Sequence, residues 1–66
     1  MEIWLNGEAR EVDAALSVAA LLELAGYAQR RVAVEVNRQI VPKSQHAAHA
    51  LQPGDRIEIV YALGGG

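Results

Sequence analysis

The chain has no cysteine, so it can form neither a disulfide nor a thiolate metal site. It has no basic block and no interleaving of basic and aromatic residues, the usual footprint of a nucleic-acid surface. Its apolar runs are far too short to span a membrane, and no leading charged-then-apolar segment reads as a signal peptide. No glycine loop opens a helix to cradle a phosphate: Gly7 belongs to a turn and Gly26 follows a helical stretch. These absences point to a cytoplasmic protein that binds neither nucleic acid nor membrane. With 66 residues the chain is also short. A pocket large enough for a substrate would remove much of its core, which argues against an autonomous enzyme.

What is present is apolar residue in quantity, 52% of the chain, with a formal net charge of −2. A domain of this size buries only roughly 60% of the surface its unfolded chain exposes, so the expected core is one sheet covered by one helix. "EIWLNGEAREV" reads as a hairpin: Ile3 and Leu5 alternate with Glu2 and Trp4, and Asn6-Gly7 supplies the turn. The return strand, about residues 8 to 12, is polar until Val12 and suits a sheet edge.

"LSVAALLELAG" has helical spacing, with Val18, Leu21, Leu22 and Ala25 on one face. Ser17 is placed to cap its start, and Gly26 to end it in the left-handed conformation. "RVAVEVNRQIV" sets Val32, Val34 and Val36 on one face of a strand. A turn at Asn37-Arg38-Gln39 and a short strand at Ile40-Val41 follow, ended by Pro42. "KSQHAAHAL" reads as a turn of helix or 3₁₀ structure with Ser44 as its cap. "QPGD" is a turn, and "RIEIVY" is a last strand with Ile57, Ile59 and Tyr61 in phase.

The order places one main helix across a mixed sheet of four to five strands, with the first and last strands at its centre. This is an α+β β-grasp, or ubiquitin-like, arrangement for a single domain over residues 1–66. The expected core comprises Ile3, Leu5, Val12, Val18, Leu21, Leu22, Val34, Val36, Ile57 and Ile59. Fold alone does not give function.

Candidate chemistry is sparse. His46 and His49 stand three apart but lack a nearby third ligand, so they read as solvated surface residues rather than a metal site. No serine or cysteine stands beside them in a catalytic context. Trp4, the only tryptophan, alternates away from Ile3 and Leu5. Val60 and Ala33 fall on the same outer face, with Glu35, Arg56 and Glu58 around them. That face is a candidate partner-docking surface, since aromatic anchors rimmed by polar groups mark binding patches.

The chain closes on "YALGGG". Residues 62–66 are expected to form a flexible tail reaching at most roughly 17 Å at about 3.4 Å per residue. A segment without side chains can thread a narrow cleft and approach a bound nucleotide. The carboxylate of Gly66, with a reference pKa of about 3.3–3.7, is ionised at neutral pH and can attack a nucleoside triphosphate. The tail reads as a substrate for another enzyme.

Four segments carry a family resemblance: "MEIWLNGE", "VAVEVNRQIVPK", "LQPGDRIEIV" and the terminal "GGG". In this order and spacing they resemble the ThiS family of sulfur carrier proteins in thiamine biosynthesis. The resemblance covers essentially the whole chain. It implies that a ThiF-like adenylyltransferase uses ATP and Mg²⁺ to adenylate Gly66. Sulfur from a cysteine desulfurase relay then yields a thiocarboxylate, and a ThiG-like thiazole synthase takes the sulfur. Gly65 matches the family's terminal diglycine and Gly64 extends the tail into partner active sites. The chain itself would hold no cofactor and no metal. Three alternatives stand beside this reading: a carrier like MoaD, the small subunit of molybdopterin synthase, a ubiquitin-like docking module that is never activated, and a protein modifier joined to lysines.

Overall fold

The computed structural model describes residues 1–61, and the expected tail at 62–66 lies outside the described residues. Strand β1 (Glu2–Leu5) turns back into β2 (Glu8–Glu11), with Leu5 opposite Glu8. That register leaves two loop residues, Asn6 at φ 50° and Gly7 at φ 85°. Two successive positive φ values match the right-handed twist of the flanking strands, and Asn-Gly adopts them at low steric cost. The return strand stops at Glu11. Val12 follows it, half-buried against the core rather than within it.

Helix α1 (Val18–Leu24) begins as its spacing predicts, with the Ser17 hydroxyl accepting from Ala20 N–H at 3.1 Å. It ends in a paired carbonyl cap. Gly26, at φ 85°, donates to Glu23 O, and Tyr27 N–H donates to Leu22 O at 2.8 Å. The left-handed residue between the two bonds is what requires glycine there.

Strand β3 (Val32–Val36) is followed by β4 (Gln39–Ile40), with Val36 opposite Gln39. The turn is therefore only Asn37-Arg38, at φ 52° and 69°, and Gln39 belongs to the strand. Val41 lies just past it, where its N–H donates to Val34 O and its side chain is buried. A 3₁₀ turn (Lys43–Gln45) comes next. Ser44 sits inside this turn and is not its cap; Pro42 holds that position, with no side-chain bond. After the Gln52–Asp55 turn, β5 (Arg56–Tyr61) completes the sheet.

Strand order is β2-β1-β5-β3-β4, with β1 parallel to β5 and the other neighbours antiparallel. The first and last strands thus lie side by side at the sheet's interior, as the β-grasp arrangement requires. Asn6 extends the junction past the end of β1: its N–H donates to Ile57 O, and its Oδ1 accepts from Ile59 N–H at 2.8 Å.

The helix-facing side of the sheet contributes Ile3, Leu5, Val34, Val36, Ile57 and Ile59 to the core. Helix α1 adds Val18, Leu21 and Leu22. Val41 and Leu51, outside the expected core, are buried with them. The histidine expectation is corrected at His46, which is buried: its Nε2–H donates to Val41 O at 2.9 Å. His49 is half-buried. The backbone carbonyls of both have structural work, since Ala19 N–H donates to His46 O and Val18 N–H to His49 O. Segment 46–49 therefore satisfies amides at the start of α1 that no intrahelical partner can reach.

Candidate functional site

Residues paired across a sheet share a face, so the strand register assigns the outer one. On the side away from α1 lie Glu2 and Trp4 of β1, Ala9 and Glu11 of β2, and Arg56, Glu58 and Val60 of β5. Ala33 and Glu35 of β3 and Ile40 of β4 complete it. Trp4 is opposite Arg56, Ala33 opposite Val60, and Glu35 opposite Glu58.

The structure places Trp4 and Val60 on this face, as expected, with exposures of 37% and 54%. It does not bring them into one patch. Val60 is four positions beyond Arg56 along β5, roughly 13 Å at about 3.3 Å per residue, and Glu58 stands between them. Trp4 packs at one end with the Arg56 guanidinium 5.9 Å from its ring centroid, near the outer limit of a cation–π contact. Val60 and Ala33 form the other apolar end, on the side where β5 leads toward the tail.

Ile40 is a member of the face that periodicity did not single out; it is 70% exposed opposite Glu35. The signal lay in its spacing from Val41: adjacent strand residues must point to opposite faces, and Val41 is the buried one. The face is charged as well as apolar. It carries Glu2, Glu11, Glu35 and Glu58 with the cation Arg56; Arg38 borders it beside Arg56 and Glu58, and the N-terminal ammonium lies 3.7 Å from Glu11.

A separate cleft of about 330 Å³ opens on the helix side between α1 and the 3₁₀ turn, lined in part by Tyr27, Arg30, Lys43 and His46. It holds none of the expected site residues. Gly64, Gly65 and Gly66 lie outside the described residues. Among the described residues no helix is long and apolar enough to cross a membrane.

Known proteins share this arrangement. The crystal structure of a thiamine biosynthesis protein (ThiS) from Geobacter metallireducens superposes with a TM-score of 0.85, at 35% identity and with all of both chains covered. The sulfur carrier protein ThiS of Escherichia coli is 38% identical over 66 residues, the whole of both chains. A thiazole synthase of Paramagnetospirillum magneticum is 48% identical over the same 66 residues. This chain spans 20% of that synthase's length. The model of the ThiS family matches residues 3–66, through the last glycine, and the chain belongs to that family.

Proposed function

We propose that this chain carries sulfur on the carboxyl group of Gly66 for thiazole formation in thiamine biosynthesis. The observation that carries the reading is the extent of the family match, which runs unbroken from the sheet through Gly64, Gly65 and Gly66. In this reading a ThiF-like adenylyltransferase holds ATP and Mg²⁺, and the Gly66 carboxylate attacks the α-phosphorus. The α–β anhydride breaks, pyrophosphate leaves, and an acyl-adenylate forms. Sulfide-level sulfur, released by a thiol reductant from the persulfide of a cysteine desulfurase relay, displaces AMP, which is a far better leaving group than oxide. The resulting thiocarboxylate is a soft nucleophile that a ThiG-like thiazole synthase accepts.

A ThiS-like region within thiazole synthases supports partnership with such an enzyme, because the region and the rest of the synthase occur there in one polypeptide. The outer face suits the docking role. Trp4 and the Val60–Ala33 end provide apolar contact, and the glutamates give the face a sign.

ATP–pyrophosphate exchange with the cognate activating enzyme tests the reading. The native chain is expected to support exchange. A chain lacking Gly66 and one extended by a C-terminal alanine are expected to fail, because each moves the carboxylate away from the α-phosphate. Native-like exchange from both altered chains would overturn the assignment to Gly66.

A further inference from the structure

Away from the proposed docking face, the structure carries an aromatic contact at the end of β5. Tyr61 is the last residue of β5 and stands in the inward phase after Ile57 and Ile59. Unlike them it is 56% exposed, because it lies past the edge of the core. Its strand partner is Val32, the first residue of β3, so this is the final pair of the ladder. Its ring meets that of Tyr27 at a centroid distance of 5.8 Å and a tilt of 52°, within the range of favourable aromatic pairs.

Tyr27 is itself held firmly. Its N–H donates to Leu22 O, its carbonyl accepts from Arg30 N–H at 3.0 Å, and its side chain packs on the core. The end of β5 is thereby tied to the end of α1. Strand termini fray unless something holds them. If the Tyr61–Val32 pair opens, the last paired residue of β5 moves back by one position, about 3.4 Å along the strand. A partner that grips the sheet face and receives the chain end makes two linked contacts. The effective concentration of the second depends on the length and fixity of what joins them.

We infer that Tyr61 and Tyr27 form a clasp that fixes where the chain leaves the sheet, and that both are positioning residues for activation of Gly66. The inference rests on the proposed role of Gly66. The clasp acts after docking, on delivery of the carboxyl group to the nucleotide, so it belongs to kcat rather than to KM.

The test is steady-state ATP–pyrophosphate exchange against carrier concentration, for Tyr61→Ala, Tyr61→Phe, Tyr27→Leu and the Tyr27→Leu/Tyr61→Ala pair. Thermal unfolding of each is followed in parallel. Tyr61→Ala is expected to lower kcat about tenfold, inside the roughly hundredfold that a displacement of ~1 Å can cost, with KM little changed. Tyr61→Phe keeps the ring and should restore kcat. The double variant should be no slower than Tyr61→Ala alone. Should Tyr27→Leu fail to fold, the exposed Tyr61→Ala and its Phe rescue decide the matter. Wild-type kcat in Tyr61→Ala beside an inactive chain lacking Gly66 overturns the clasp and leaves the Gly66 reading intact. A loss confined to KM also overturns it, by making Tyr61 a contact with the enzyme. Exchange that survives removal of Gly66 overturns both.

Discussion

Leu21 is fully buried between α1 and the sheet, and it has no polar role to confuse the outcome of its removal. Leu21→Ala is expected to cost about 2–5 kcal/mol, from lost transfer energy and an incompletely collapsed cavity. Against a typical total of about 5–15 kcal/mol that is a large share, visible as a lowered midpoint in urea denaturation. His46 offers a different kind of test. Its imidazole supplies the donor for Val41 O in a buried setting, so His46→Leu fills space but leaves a carbonyl unpaired. An unpaired buried acceptor costs roughly 1–3 kcal/mol, and the same denaturation series should resolve it. Unchanged stability in His46→Leu would mean that water replaces the imidazole at Val41.

At the scale of elements, the ends of α1 carry opposite kinds of sequence signal, and both can be tested. Ser17→Ala removes the acceptor for Ala20 N–H and is expected to cost about 0.5–2 kcal/mol. Gly26→Ala meets no atom within 4 Å of the added Cβ, so its cost is the left-handed backbone alone, roughly 1–2 kcal/mol. A melting temperature unchanged by Gly26→Ala would show that the helix end rearranges. These devices were legible in the sequence because each lies within a few residues of what it controls. The Asn6-Gly7 hairpin, the alternation of β1, β3 and β5 and the β-grasp order were legible for the same reason. Burial of Val41, His46 and Leu51 was not, because segment 41–51 has no period of its own. Its inward residues are chosen by docking on α1, through the bonds from Val18 and Ala19 to His49 and His46. The turn after β3 was legible at Asn37-Arg38-Gln39, but not its two-residue length, because neither Asn37 nor Arg38 is glycine although both take positive φ. Of the candidate site, alternation placed Trp4 and Val60 on one face. It could not give their separation along β5, which depends on the parallel register of Trp4 with Arg56.

The whole molecule divides its charge unevenly. The outer face holds four of the chain's eight acidic residues and, of its six basic ones, Arg56 with Arg38 at its border, while Arg10, Arg30, Arg31 and Lys43 lie elsewhere. A net charge of −2 therefore understates the field that a partner meets when it approaches Trp4 and Val60. If this face docks on the activating enzyme, the complementary surface is basic and the encounter is steered. Steering acts over about 10 Å at 0.1 M salt and shortens as salt rises, so association should slow with ionic strength. Stopped-flow association of the full chain with the proposed ThiF-like activating enzyme checks this. Glu58→Lys, at the centre of the face, is expected to slow association about tenfold or more at low salt and to flatten the salt dependence. Lys43→Glu, by the helix-side cleft, changes the total charge without touching the face and should leave the salt slope nearly intact. Trp4→Ala separates contact from steering, since it removes apolar area and no charge. It should raise the dissociation rate and hardly alter association, because contact quality governs koff and long-range charge governs kon. Salt-independent association, together with an unchanged dissociation rate in Trp4→Ala, would move the docking surface off the outer face and leave only the glycine end as the recognised element.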